Sequence, residues 1–325
     1  MIQTVLLSLA GGLVLFLFAL NYLSGHLEAA AGDRLKSFLD RFTSNLVTGI
    51  LTGVVVTILL DSSSAVIIMT IALVSARAMT FRQAMGVVMG ANIGTTVSSQ
   101  LIALDVGKYA SVLMLIGFVM MVVAKSDPYR SAGRILLGFG LIFFSLFLMQ
   151  EAVEPLRESP QFIDWMVSLE NPLKGIGIGA LVTLVIQSSS ATVGMVIVLC
   201  AKKLMTLSAG IAVMLGAELG TCSDTLLASI GRSRPAVKTG LFHLSFNLIS
   251  IFIGFLLFTP FVSLVEWISG NAPLGRTIAN AHMLFNIGGV LLFIPLVPLV
   301  EKGLNKMLPT RESAQQLQAE AVGKA

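Results

Sequence analysis

Long stretches of this chain carry no Asp, Glu, Lys or Arg, among them Ile2–Gly25, Gln83–Leu104, Ala110–Ala124, Ile135–Gln150, Gly175–Ala201, Thr239–Val265 and Thr277–Val300. Each approaches or exceeds the roughly 20 apolar residues that an α-helix needs to cross hydrocarbon. Two of them contain one histidine each, His243 and His282. The pattern predicts an all-α polytopic membrane protein. The first run has no basic leader and no small-residue cleavage site, and it is long enough to span, so it reads as a first helix over residues 1–25 rather than a cleaved signal. Polar residues then recur in blocks between the apolar runs, as connections on either side of a bilayer must.

Composition agrees. The chain has 325 residues, 55% hydrophobic and 12% charged, with mean hydropathy +0.90. Soluble domains carry about 25% charged residues, so lipid is the expected solvent. The net charge of +4 says little about partners, because basic residues in membrane proteins mark the cytoplasmic side. Cys200 and Cys222 lie in apolar surroundings at no metal spacing and read as structural thiols. No basic, aromatic-rich patch points to nucleic acid, and no nucleophile–base pair or metal cluster points to an enzyme.

Two polar triplets interrupt the apolar pattern. "LLDSSSAV" spans Leu59–Val66 and "VIQSSSAT" spans Val185–Thr192. They belong to a duplication: the segment from Gly49 aligns without a gap to the segment from Gly175, 126 positions later. Identical pairs include Gly53/Gly179, Thr57/Thr183, Gly90/Gly216, Gly94/Gly220 and Thr95/Thr221. The chain therefore divides into a first helix (1–25), repeat 1 (26–150), repeat 2 (151–301) and a short polar tail (302–325). Each repeat opens on an amphipathic segment (about 26–45, matched by 151–171). A pair of short helices broken at the serines follows, then a glycine-rich helix, then plain helices.

Charge places the connections. Lys125, Arg130 and Arg134 put one loop in the cytoplasm, as do Arg232, Arg234 and Lys238, and Lys302, Lys306 and Arg311 in the tail. Glu151, Glu154, Glu158, Asp164 and Glu170 fall outside, and so does the 105–108 connection. Its repeat-2 equivalent around Gly231–Arg234 falls inside, so the two repeats are expected to be inverted, with the N-terminus outside. Lys202 and Lys203 sit awkwardly outside in this arrangement. Inverted repeats with matched interruptions mark secondary transporters, whose cargo binds near the midplane.

Backbone at membrane depth must be satisfied within the protein, and serine hydroxyls can bond the groups freed where a helix breaks. A single serine triplet is ordinary helix packing as readily as a site; two at equivalent places argue for a site. Their oxygens suit a small hard cation such as Na⁺, and helix N-termini facing the break suit an oxyanion. The second paired motif, "GANIGTT" at Gly90–Thr96 and "GAELGTC" at Gly216–Cys222, combines small residues that allow close helix approach with Asn92, Thr95, Thr96, Thr221 and Ser223 beside the breaks. His243 in "FHLSFN" and His282 in "AHMLFN" are expected to be structural, each in an interhelical hydrogen bond with Asn247 or Asn286.

Paired Q-S-S-S motifs, each followed by a G-A-N-I-G-T-T-like segment, resemble the type II sodium/phosphate cotransporter family over most of the chain. The resemblance implies re-entrant helical hairpins broken at the [QD]SSS motifs, with inorganic phosphate and the coupling ion Na⁺ held between them. By that likeness, Ser62, Ser63, Ser64, Ser188, Ser189, Ser190, Asn92, Thr95 and Thr221 bind the anion. Asp61, Gln187, Thr192, Ser64, Ser190 and Glu218 are the candidate Na⁺ ligands. Asp61 stands where the family has Gln, and Glu218 where it has Asn. Both add an acid at membrane depth, and Asp61 is expected to ligand Na⁺ or carry a coupling proton. The expected function is Na⁺-coupled phosphate symport across the inner (cytoplasmic) membrane, with a homodimer an allowed assembly. The alternatives are another anion, proton coupling, phosphate export, or a membrane sensor that transports nothing. The 302–325 tail is too short for the regulatory domain that many bacterial members carry.

Overall fold

The computed structural model describes residues 2–31, 43–104 and 106–309, and all regular structure among them is helical. The first half contains α1 (Ile2–Ala31), α2 (Leu46–Leu60), α3 (Ser63–Ser75), α4 (Phe81–Ile102), α5 (Ala110–Val123) and α6 (Asp127–Val153). The second contains α7 (Pro160–Ser168), α8 (Pro172–Ile186), α9 (Ser189–Ala201), α10 (Leu207–Gly220), α11 (Cys222–Ser229) and α12 (Arg234–Leu256). It ends in α13 (Phe258–Ser269), α14 (Leu274–Phe293) and α15 (Val297–Met307). Among the described residues, five segments are long and apolar enough to cross a membrane: α1, α6, α10 with α11, α12, and α14 with its continuation. The protein is an all-α polytopic membrane protein.

The duplication holds at the level of helix ends. α2, α3 and the start of α4 shift by the same 126 positions onto α8, α9 and the start of α10. Their caps repeat too. Asn45 and Asn171 cap α2 and α8 through their side chains, and Thr80 and Thr206 cap α4 and α10, each satisfying a main-chain N–H that a helix start leaves free. The left-handed non-glycine residues also fall in pairs, Asp61 with Gln187 and Arg77 with Lys203.

Glycine sets how closely the helices approach. A Cβ built on Gly90 would lie 1.9 Å from the Ile50 carbonyl oxygen, and one on Gly216 2.0 Å from that of Ile176. Gly53 and Gly179 press likewise on the Val87 and Val213 carbonyls. In the first half, Gly86 meets Leu46, Gly90 meets Ile50 and Gly94 meets Thr57, so α2 and α4 run parallel. The chain must therefore return along α3 before α4 begins, which makes α2–α3 a hairpin that opens and closes on one side. The same contacts make α8–α9 a hairpin. Legs of 15 and 13 residues reach about 22 and 20 Å, short of a hydrocarbon core of about 30 Å.

Two apolar clusters hold these elements. One gathers Val66, Ile67 and Ile71 of α3 and Met85 and Met89 of α4 with Phe242, Phe246 and Phe293, whose rings meet edge to face at 5.8 and 5.0 Å. The other surrounds α9 and α10 and extends to Phe16 of α1 and Met149 of α6.

Several expected boundaries move. α1 continues six residues past Gly25, through His26, whose ring packs edge-on against Tyr22 at 4.4 Å. The rest of the first amphipathic segment lies outside the described residues up to 42, as does Asp105. Its counterpart is seen: α7 meets α8 at a bend of 102°. The uncharged run 239–265 divides at Leu257, where α12 gives way to α13. The polar tail begins as helix, because Val297 and Leu304 bury one face of α15; residues 310–325 lie outside the described ones. α4 is long enough to span, but Asn92 and its threonines and serines keep it out of the most apolar class, and most of its residues are buried by protein. Lys202, awkward in sequence, lies 3.2 Å from Glu154 and 3.5 Å from Glu151, so it sits with the acidic segment.

Candidate functional site

Each serine triplet forms a hairpin tip only two residues wide. Asp61 (φ 53°, ψ 30°) and Gln187 (φ 59°, ψ 30°) close α2 and α8 in the left-handed conformation, with their N–H groups bonded to Thr57 and Thr183 carbonyls. The next residue, Ser62 or Ser188, is extended and caps the following helix, accepting from Ala65 or Ala191 N–H at 3.2 Å. The break is therefore tight rather than an unwound stretch, and the first serine of each triplet is a helix cap. The second and third serines occupy the first turn of a 13-residue helix, beside main-chain N–H groups that the helix cannot use. Among the described residues, the hydroxyls of Ser63, Ser189 and Ser190 make no hydrogen bond to protein.

The first tip reaches helices from both halves. Ser64 Oγ donates to Asp224 Oδ2 at 3.2 Å, and Ser98 Oγ donates to the Asp61 carboxylate. Asp224 also accepts from Ser223 at 3.3 Å. Ser98 and Asp224 are themselves 126 positions apart, so the acid sits on the hairpin in one half and on the following helix in the other. Neither residue was singled out from sequence. The signal was present three positions beyond Thr95/Thr221 in the same alignment.

The second motif faces inward but bonds to its own helix. Asn92 donates to the Val88 carbonyl at 2.9 Å, Thr95 to Ala91 at 3.0 Å, and Thr221 to Glu218 at 3.1 Å. The hydroxyl protons of Thr95 and Thr221 are thus committed, while their lone pairs stay open to a cation. Thr192 bonds Thr183 and the Ser188 carbonyl. Gln187 is exposed and makes no side-chain hydrogen bond among the described residues. Glu218 is engaged by a histidine: its carboxylate meets His282 Nε2 at 2.6 Å, both groups buried.

The donor set fits a hard monovalent cation. Around Asp61 and Asp224 every ligand is oxygen, and no group of His, Cys, Asp and Glu able to hold a metal occurs among the described residues. A cavity of about 20 Å³ lies against Asp61 and Ser98, walled by Leu20, Phe139 and Phe143. That is room for one water-sized particle. Thr57, one turn before Asp61, keeps a buried hydroxyl with no partner among the described residues.

The histidines depart from expectation in their partners. His243 does meet Asn247, at 3.1 Å, but within α12 rather than between helices. His282 takes Glu218 and Ser99, while Asn286 bonds only its main-chain carbonyl.

The sequence profile described as Na⁺/Pi-cotransporter matches residues 15–151 and 161–293. An uncharacterized protein of Bacillus subtilis (strain 168), YqeW, is 27% identical over 94% of this chain and 99% of its own length. YjbB of Escherichia coli (strain K12), which bears the name of a candidate inorganic phosphate export protein, is 25% identical over 90% of this chain. The chain spans 54% of that relative's length. The human sodium-dependent phosphate transport protein 2B is 35% identical over 136 residues, 38% of this chain and 20% of its own. No solved structure matches.

Proposed function

Because this chain belongs to the Na⁺/Pi-cotransporter family, we propose that it carries inorganic phosphate across the cytoplasmic membrane in symport with Na⁺, by alternating access. The observation that carries this reading is the meeting of a serine tip from one half with a carboxylate from the other, Ser64 on Asp224. The starts of α3 and α9 supply N–H groups, and Ser63, Ser189 and Ser190 supply uncommitted hydroxyls, for the phosphate oxygens. Asp61 and Asp224, with Ser98 and the threonine lone pairs, hold the cations. Two carboxylates beside an anion repel it until cations intervene, which ties phosphate binding to ion binding.

Inverted repeats fit the same reading. The first hairpin opens beside Ser233, whose N–H bonds Ser75 Oγ at 3.4 Å, and the second opens beside Glu151 and Glu154. The 27 residues of α6, about 40 Å, join the two faces. A symmetric pair of openings around one site is what alternating access requires. A second reading, outward movement of phosphate, is favoured by the name of the Escherichia coli relative.

The test is ³²P-phosphate flux in proteoliposomes with the Na⁺ gradient imposed in either direction. Uptake that follows inward Na⁺ supports symport. Equal flux in K⁺ medium sinks Na⁺ coupling, and flux that runs only outward selects the second reading.

A further inference from the structure

Behind the tip of the first hairpin, on each of two helices, a histidine holds the hydroxyl next to the side chain that faces the tip. Ser98 reaches Asp61, and the following residue, Ser99, meets His282 Nδ1 at 2.7 Å. Asp224 takes Ser64, and the following residue, Thr225, meets His243 Nδ1 at 2.8 Å. Ser99 and Thr225 are equivalent under the 126-residue shift, but the histidines are not: they lie only 39 positions apart. Two histidines unrelated by the duplication thus occupy the same place relative to the duplicated pair.

Both arrangements are closed to water. Ser99, Thr225 and His282 are 0% exposed and His243 is 2% exposed. Each imidazole is fixed at its other nitrogen as well. Asn247 Nδ2 donates to His243 Nε2, which leaves the ring proton on Nδ1 to be given to Thr225 Oγ1; Thr225 in turn donates to the Cys222 carbonyl at 3.0 Å. His282 Nε2 is held by Glu218. Neighbouring side chains on a helix point about 100° apart. Anchoring residue 99 or 225 therefore fixes the roll of its helix, and with it the aim of residue 98 or 224. Plain interhelical glue would stabilise the fold without setting how the tips bind an ion.

We infer that His243 and His282 are positioning residues for the cation at the first hairpin tip, acting through Thr225 on Asp224 and through Ser99 on Ser98. The inference rests on the Na⁺-coupled reading above for the identity of the ion.

Ser99→Ala and Thr225→Val each remove one hydroxyl with little change of volume. Each is expected to raise the Na⁺ concentration for half-maximal phosphate flux by about five- to tenfold, the loss of one buried hydrogen bond, with the maximal rate near that of the parent. His282→Gln and His243→Gln, which can still bond a hydroxyl, should recover part of the affinity that the corresponding Leu variants lose. Stabilisation of the purified protein by Na⁺ against heating reads ion binding without transport, and its half-point should shift alike. Unchanged Na⁺ half-points in both assays overturn the inference. A parent stabilised by Na⁺ but moving no phosphate overturns the transport reading, and the heating assay still decides the inference. A parent on which Na⁺ acts in neither assay overturns both.

Discussion

Ser64 and Asp224, 160 residues apart, are joined by a 3.2 Å hydrogen bond from the tip of the first hairpin to the helix that follows the second. The contact ties the halves at the point where cargo is proposed to sit. A second contact to the same tip keeps within one half, Ser98 on Asp61; its equivalents in the second half are Asp224 and Gln187. The two halves have thus exchanged which partner carries the charge. In the proposed site, with one acid from each half, neutrality requires cations or protons, because a carboxylate inside a membrane is stable when paired or protonated.

That exchange predicts matched phenotypes for two residues that look unrelated in sequence. Asp61→Asn and Asp224→Asn should each raise the Na⁺ concentration for half-maximal flux by about tenfold or more, the cost of losing a charged ligand. Discrimination of phosphate from sulfate should change little. Competition assays at saturating Na⁺ check the second half; a variant that loses anion selectivity while keeping its Na⁺ curve contradicts the assignment.

Anion binding is assigned instead to the uncommitted hydroxyls. Ser63→Ala and Ser189→Ala should raise the phosphate KM by about fivefold each, one hydrogen bond to a charged ligand. Ser62→Ala and Ser188→Ala remove helix caps and should lower thermal stability as well, by about 1 kcal/mol. Thermal unfolding beside flux kinetics separates the two kinds of serine within a single triplet.

The glycine contacts set a stability prediction. Gly90→Ala and Gly216→Ala drive a methyl into a backbone carbonyl about 2 Å away, which side-chain movement cannot relieve. Both should cost several kcal/mol, at or beyond the usual 1–3 kcal/mol of overpacking, and yield protein that aggregates on size-exclusion chromatography. Gly177→Ala, whose added methyl meets nothing within 4 Å, should behave as the parent.

How much of this could be read from sequence follows from how each signal is encoded. The triplets and glycines are identical between the halves, so the duplication, the hairpins and the all-helical class were legible from letters alone. Ser98 and Asp224 differ in chemistry at equivalent positions, and an alignment that counts identities passes over them. Glu218 stands out in sequence because it breaks the G-A-N pattern, but its partner His282 lies 64 residues away, and no local pattern reports that contact. The end of α1 was missed because a glycine and a histidine resemble a helix stop, while the Tyr22–His26 ring contact carries the helix through.

One pair of equivalent residues should respond with opposite sign. Thr183 donates to Thr192 at 2.7 Å, but Val66 stands where Thr192 stands, and Thr57, equivalent to Thr183, is left with a buried hydroxyl and no partner among the described residues. A buried hydroxyl without a hydrogen bond costs about 1–3 kcal/mol. Thr57→Val should therefore raise the unfolding temperature, and Val66→Thr should raise it too by restoring the missing partner. Thr183→Val should lower it by about 1 kcal/mol, the net worth of one bond. The comparison belongs in Na⁺-free buffer, because Thr57 lies one turn before Asp61 and its lone pairs are open to a cation. If Thr57 serves as such a ligand, Thr57→Val gains stability without Na⁺ yet is stabilised less by added Na⁺ than the parent. Val66→Thr should keep the full Na⁺ effect. A Thr57→Val protein less stable than the parent in Na⁺-free buffer would show that the hydroxyl is satisfied, and with it that the first tip is built differently from the geometry described.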